Sequence, residues 1–263
     1  MIDQLEQPSG PGYALLDVGD ARRLERFGGL TLDRPAPSAE GHLARDPAAW
    51  ARADGRYDRE DRGRVGHERW TTRDGAPIEP WNLRDDELAF ELRLAGGGQV
   101  GYFPEQAANR RWIGRQVRRI AATSGPPPAV LNLFGYTGAS TVAALAAGAS
   151  ATHVDAARSA VAWARRNAAL NGLTEAPVRW ISDDAIAFAE RELRRGRRYA
   201  GVVLDPPSYG HGTGGHAWRL APGLPALLAT CAELLQDGAA FIVLTAHTPG
   251  FGPERLGEAL LEA

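Results

Sequence analysis

The sequence predicts an α/β protein in which a doubly wound parallel sheet follows a small β-rich domain. Three observations predict it. Beyond residue 129, short apolar runs alternate with alanine-rich segments of helical length, the pattern of a parallel sheet covered on both faces. Before residue 104 the apolar runs are equally short, but glycine and proline separate them rather than helices. Glycines or acids stand just after four of the later runs, the positions from which such sheets serve their ligands.

At 263 residues the chain is long enough for one large or two modest domains. Hydrophobic residues at 44% and charged residues at 24% set aside disordered, collagenous and fibrous classes. No apolar run reaches the ~18 residues of a membrane helix. The opening Met1-Ile2-Asp3-Gln4 is acidic and polar rather than signal-like, so the expectation is a soluble, cytoplasmic protein with no membrane partner. The single cysteine, Cys231, excludes an intramolecular disulfide and a cysteine-based metal site. All 30 cationic residues are arginine. A net charge of −2 argues against a protein that coats nucleic acid, while leaving room for local basic patches.

Residues 1–11, with Pro8, Gly10 and Pro11, are expected to form a flexible lead-in. The β-rich domain covers 12–103. Its strand candidates are Tyr13-Ala14-Leu15-Leu16, Leu30-Thr31-Leu32 and the alternating run 88–94, which with Gly96-Gly97-Gly98-Gln99 and the run 100–103 predicts a hairpin. Residues 45–73 mix eight arginines, six acids and three tryptophan or tyrosine residues, which predicts an exposed loop whose aromatics tuck onto the domain.

The second domain covers 104–263. A helix is expected over 105–122, with Ile113, Val117 and Ile120 on one face and Arg111, Arg115 and Arg118 opposite. Strands are expected at 129–134, 151–154, 178–181, 201–204 and 240–245, and helices near 139–147, 157–170, 184–195, 223–236 and 253–263.

The chemistry should sit after the strands. Phe134-Gly135-Tyr136-Thr137-Gly138 follows the first strand, and a glycine turn entering a helix brings free backbone amides to a ligand. Its two glycines fall short of the three that dinucleotide binding requires, and a plain strand-to-helix turn reads equally well. Asp155, followed by Ala156, ends the second strand; its carboxylate can accept from a ribose diol, or cap the next helix. Asp183 and Asp184 end the third, where either could accept from an adenine amino group or open a helix.

The fourth strand ends in Asp205-Pro206-Pro207-Ser208-Tyr209. Two prolines remove backbone donors and fix φ, so they make a stiff rim of acceptors. That rim suits a ligand that donates hydrogens, such as the amino group of a flat base, with Tyr209 available to stack. The glycine-rich stretch 210–218 reads as a mobile lid. His211 and His216 within it lack a third ligand, so no metal is expected.

These residues resemble class I S-adenosylmethionine-dependent methyltransferases, and within them the bacterial group that modifies large-subunit ribosomal RNA. The matching stretches are Tyr102-Phe103-Pro104-Glu105-Gln106 with Asn109-Arg110, the run 131–138, Val154-Asp155 with the run 167–172, Asp183-Asp184-Ala185, and the run 204–209. The segment from Leu15-Leu16-Asp17 to Phe27-Gly28 looks like the start of such proteins. The resemblance implies a Rossmann-like methyltransferase sheet and a cofactor site. In that site Phe134 to Gly138 would surround the methionine tail, Asp155 with Ala156 would hold the ribose, Asp184 or Asp183 the adenine, and Gln106 would contribute from the first helix. It places Asp205, Pro206, Pro207 and Tyr209 at the methyl acceptor. Relatives that methylate a cytosine carbon place a cysteine just past the fifth strand; Leu244-Thr245-Ala246-His247-Thr248-Pro249 has none, so a base nitrogen is the expected target.

The family sheet has seven strands where five can be placed here, which suggests a shortened copy or a fifth-strand edge covered by an oligomeric partner. Arg110, Arg111, Arg115, Arg118 and Arg119, with the cluster 191–198, are candidates for gripping RNA phosphates, or are solvated faces. The alternatives are a small-molecule methyltransferase and a non-catalytic RNA-binding relative. A nicotinamide dehydrogenase comes last, since no tyrosine-lysine pair can exist without lysine.

Overall fold

The computed structural model describes residues 12–58, 69–123, 125–211 and 217–263; the expected lead-in at 1–11 lies outside them. The chain forms two compact units, Met1–Pro104 and Glu105–Ala263.

In the first unit β1 (Tyr13–Gly19), β2 (Arg22–Phe27) and β3 (Leu30–Pro35) form an antiparallel meander. A short helix, α1 (Pro47–Ala51), precedes β4 (Gly55–Asp58), which pairs parallel to β3, and β5 (Arg69–Thr72) closes the five-stranded sheet. The sheet buries Leu24, Phe27, Leu32 and Tyr57. It also buries charge: Glu25, fully covered, receives Arg34 at 2.7 Å and Arg23 at 3.1 Å, and Asp33 receives Arg22 and Arg56. Asp17 accepts hydrogen bonds from the Trp50 indole and the Arg45 and Asp46 amides.

Two expectations for this unit are corrected. Residues 45–73 are not simply a surface loop. They hold β4 and β5, and Tyr57 is only 1% exposed because its ring packs into the sheet. The three aromatics do tuck in: Trp50 onto Asp17, Tyr57 against Trp70, and Trp70 through its indole to the Ala95 carbonyl. Nor does the run 88–94 pair with 100–103 as strands. β7 (Leu88–Leu92) pairs with β6 (Trp81–Asp85) across a tight turn in which Asp86 takes a positive φ of 52°. The three glycines wind into a 3-10 turn, and backbone bonds from Arg93 to Val100 and from Ala95 to Gln99 tie the returning chain to its start.

The second unit opens with a 3-10 turn, Pro104–Gln106, and helix α2 (Ala107–Ala121). Its five strands, β8 (Ala129–Leu133), β9 (Ser150–Asp155), β10 (Val178–Ser182), β11 (Gly201–Leu204) and β14 (Phe241–Leu244), are all parallel in the order β10-β9-β8-β11-β14. The connecting helices are α3 (Ala139–Ala146), α4 (Arg158–Leu170), α5 (Ala185–Arg194) and α6 (Leu220–Glu233), with α7 (Pro253–Glu262) at the end. Strand pleating splits the core in two. Val130 and Val203 face Ile113, Val117 and Ile120 of α2, while Leu131, Leu133, Val202 and Leu204 face Phe188, Leu224 and Leu228 of α5 and α6. Each such side chain contributes roughly 1.5–3 kcal/mol by leaving water. β14 is a sheet edge, with Leu256 and Leu260 of α7 packed near it.

The stretch expected as a lid carries a hairpin, β12 (Tyr209–His211) with β13 (Ala217–Arg219); residues 212–216, including His216, lie outside the described ones. Arg110 also departs from expectation. It is only 3% exposed, three residues before Ile113 on the inward side of α2, so it cannot belong to a phosphate-gripping stripe. No helix among the described residues is long and apolar enough to cross a membrane.

Candidate functional site

In a sheet of this order the chain winds away from β8 in both directions, and a crevice opens at the carboxyl ends where the direction reverses. The turn after β8 lines it. Phe134 (φ 56°) and Tyr136 (φ 47°) are held in the left-handed region that bulky residues avoid, and Gly138 (φ 80°) leads into α3. Such strain, on the order of 1–3 kcal/mol per residue, persists only where the surroundings over-determine it. They do so here. The Gly135 amide donates to the Val154 carbonyl (2.9 Å), the Tyr136 amide to Asp155 (2.8 Å), and Asn167 holds the Thr137 carbonyl (2.8 Å).

The glycines are required by close approach. A Cβ on Gly135 would lie 2.4 Å from the His153 ring, and one on Gly138 would lie 2.6 Å from Ala164. His153 is wholly buried beneath the turn; its Nδ1 meets the Thr141 hydroxyl at 2.9 Å, and Asn132 donates to that hydroxyl at 2.8 Å. Burial pushes the imidazole down to about 4, against the pull of the Tyr136 backbone, so the ring is neutral.

Asp155 sits half-buried at the end of β9. One carboxylate oxygen accepts from Tyr136 and the other from the Ala157 amide at 2.9 Å, which fixes the group and leaves further lone pairs toward the crevice. Ala156 beside it is exposed. Asp184 is the N-cap of α5 and accepts from the Ala187 amide at 2.8 Å. Asp183 accepts from the Asp184 amide and pairs with Arg191, and its own amide donates to the Asp155 carbonyl. Gln106 precedes α2 and accepts from Asn109 at 2.7 Å, a bond within its own turn rather than to a strand-end loop.

At the end of β11 Pro206 is buried, Asp205 half-buried and Pro207 exposed. The rim is tied down from two sides. The Trp218 indole donates to the Pro207 carbonyl at 2.8 Å, and Ser208 bonds Thr248, beyond β14, at 2.6 Å. One carbonyl expected to face a ligand is therefore already engaged. Tyr209 is 76% exposed. Two residues not singled out for the site stand here: Trp218, whose ring centroid lies 6.4 Å from that of Phe134, and His247, whose Nε2 lies 3.8 Å from the Asp205 carboxylate. His247 was findable, since it follows the strand beside β11. Among the described residues no three His, Cys, Asp or Glu side chains gather as metal ligands.

The parallel sheet and the crevice at its switch point define a doubly wound α/β protein that takes its ligand at the strand ends. The family of S-adenosylmethionine-dependent methyltransferases matches residues 39–262, and the chain belongs to it. A crystal structure of an S-adenosylmethionine-dependent methyltransferase from Agrobacterium tumefaciens superposes with a TM-score of 0.86 at 38% identity, over 97% of this chain and 80% of that one. Ribosomal RNA large subunit methyltransferase I of Aeromonas salmonicida is 30% identical over 134 residues, 51% of this chain and 32% of its own length. Ribosomal RNA large subunit methyltransferase K/L of Methylococcus capsulatus is 45% identical over 80 residues, 30% of this chain and 11% of its own length. The chain thus matches a third or less of those two curated relatives.

S-adenosylmethionine is the family's cofactor, and the crevice fits it. The turn lacks the third glycine that a pyrophosphate needs, its Gly135, Tyr136 and Gly138 amides are spent within the protein, and a ligand that carries a sulfonium and no phosphate is not repelled by Asp155, Asp183 and Asp205.

Proposed function

We propose that this protein methylates a base nitrogen of RNA, ribosomal RNA being the favoured acceptor, in the cytoplasm where ribosomes mature. In this reading Phe134 to Gly138 receive the methionine end of the cofactor, Asp155 its ribose, and Asp184 or Asp183 its adenine. The bound cofactor supplies a methyl group made electrophilic by its sulfonium. The chain supplies alignment, which accounts for most of the acceleration such a displacement needs. The Asp205 carboxylate accepts a hydrogen bond from the acceptor's amino group, which aims the nitrogen lone pair, and it takes the proton the nitrogen sheds. The paired prolines and the Trp218 and Thr248 ties hold that carboxylate's rim still, and Tyr209 stands exposed for a base to stack on.

The observation that carries a nitrogen target is the lack of a usable thiol. Cys231 is buried within α6, where burial pushes it up to about 12, and the loop after β14 has none. A cysteine adduct to a base carbon therefore has no nucleophile. The test is nucleoside mass spectrometry of RNA from cells with and without the protein. One N-methylated nucleoside should disappear from ribosomal RNA; loss of a carbon-methylated pyrimidine, or no change in any RNA, would reject the reading.

A further inference from the structure

At the opposite end of the sheet, the amino ends of β8, β9 and β10 frame a cleft of about 460 Å³, within the range of small-ligand sites. Its walls carry Arg179, Arg197, Arg198, Ser150 and Thr152, with Tyr199 at its side. About five residues of strand separate it from the crevice described above, or roughly 15 Å, so it is a different site.

The arginines near this cleft fall into two groups. Most have partners: Arg191 pairs with Asp183, Arg194 with Glu190, and Arg179 and Arg195 share buried Glu192, which also accepts from the Tyr199 hydroxyl at 2.7 Å. Arg194 and Arg195 also sit at the carboxyl end of α5, where cations offset the helix dipole. Arg197 and Arg198 lie beyond that helix, and no carboxylate among the described residues pairs with either; the one bond from their guanidiniums runs from Arg198 to the Arg197 carbonyl. They are nevertheless held in place. Gly196, at φ 65°, closes α5 with the Gly196 amide on the Leu193 carbonyl and the Arg197 amide on the Glu192 carbonyl, and Tyr199 is bonded through its backbone to Leu234 and Gln236. A fixed backbone turn thus places two exposed arginines without carboxylate partners along a concave site that has a hydroxyl, Ser150, on its rim.

We propose that this cleft binds a phosphate-bearing ligand. Guanidinium forks match phosphate oxygens in pairs, and the cleft's wall contributes no carboxylate to repel them. The phosphate can belong to a polynucleotide backbone or to a free polyphosphate, which share this chemistry, and the site does not depend on RNA being the methyl acceptor.

The test uses the full chain, the double variant R197A/R198A, and Ser150→Glu, which leaves both arginines in place but brings a negative charge to the cleft. Inorganic tripolyphosphate is titrated by calorimetry, and a labelled single-stranded RNA oligonucleotide by anisotropy at several salt concentrations. Both variants should weaken at least one probe about tenfold, and the double variant should lower the salt slope for RNA by one to two counterions if the backbone is the ligand. Loss of tripolyphosphate binding alone supports a free polyphosphate; loss of RNA binding supports a polynucleotide. Cofactor titration should be unchanged in both variants, and Asp155→Ala should leave cleft binding intact, so failure here is separable from failure at the crevice. If neither probe binds the unaltered chain at low salt, or both variants bind both probes as tightly as it does, the proposal is overturned.

Discussion

Between β2 and β3, Glu25 and Arg34 are buried as ions; beneath the Phe134–Gly138 turn the interior polar groups Asn132, Thr141 and His153 are neutral. The first unit thus places opposite charges inside a small sheet, where desolvation cancels much of their attraction. Burial raises the Asp33 carboxyl despite the opposing pull of Arg22 and Arg56, and lowers the Arg34 guanidinium despite Glu25. The second unit also buries an ion, Glu192 of α5, held by Arg179, Arg195 and Tyr199, but beneath the strained turn it uses a neutral hydrogen-bonded chain.

Four experiments break or sharpen this contrast. Asp205→Ala, at the rim, should lower methyl transfer by about 10²- to 10⁴-fold with cofactor affinity within several fold of the unaltered chain; retained turnover would remove Asp205 from its role. Arg34→Ala leaves buried Glu25 with only Arg23 and the Tyr13 hydroxyl and should destabilise the first unit by about 1.5–3 kcal/mol, read as a lower denaturant midpoint, while cofactor titration at the second unit persists.

Acid should act on the second unit in the other direction. The folded His153 titrates near 4, below the ~6.5 of an unfolded histidine, so the unfolded chain binds more protons between those values. Stability is full above pH 6.5 and falls as pH drops toward 4, by about 3 kcal/mol at the bottom of that window. Trp180, whose ring lies 5.1 Å from His153, reports it by fluorescence; a flat midpoint from pH 7 to 5 would contradict the assignment. Asp33 behaves oppositely, because its raised carboxyl takes up a proton more readily when folded, so acid costs the first unit nothing through that group. The smallest effect is Asp155→Ala, which should weaken cofactor binding by about 1–3 kcal/mol, the cost of leaving buried donors unpaired. Unchanged affinity by calorimetry would take Asp155 out of the site.

The parallel sheet was legible because each strand is an apolar run bounded by breakers: the reading of 178–181 lies within one residue of β10, and 201–204 coincides with β11. The first unit was harder for a physical reason. β4 reads Gly-Arg-Tyr-Asp, and its half-exposed polar members pair across and along the sheet, Arg56 with Asp33 and Asp58, and Asp58 with Arg22, so the sequence looks like a loop. The β6–β7 turn carries Asp86 at positive φ without glycine, whereas the glycines at 96–98 advertised a hairpin that is not there. At the crevice, the turn and the strand-end acids could be read in order. The Trp218 indole on Pro207 could not, because that bond depends on how an eleven-residue excursion folds back.

The strand order has one more consequence, for the nascent chain. β8 is the middle of its sheet, yet β9 and, beyond it, β10 build one side first, and the other edge of β8 waits for β11. At ribosomal speeds of about 5–20 residues per second, that edge stays open for several seconds of synthesis. During that interval Leu131 and Leu133 lack the cover that α6 later brings, so the centre of the sheet is completed late in synthesis.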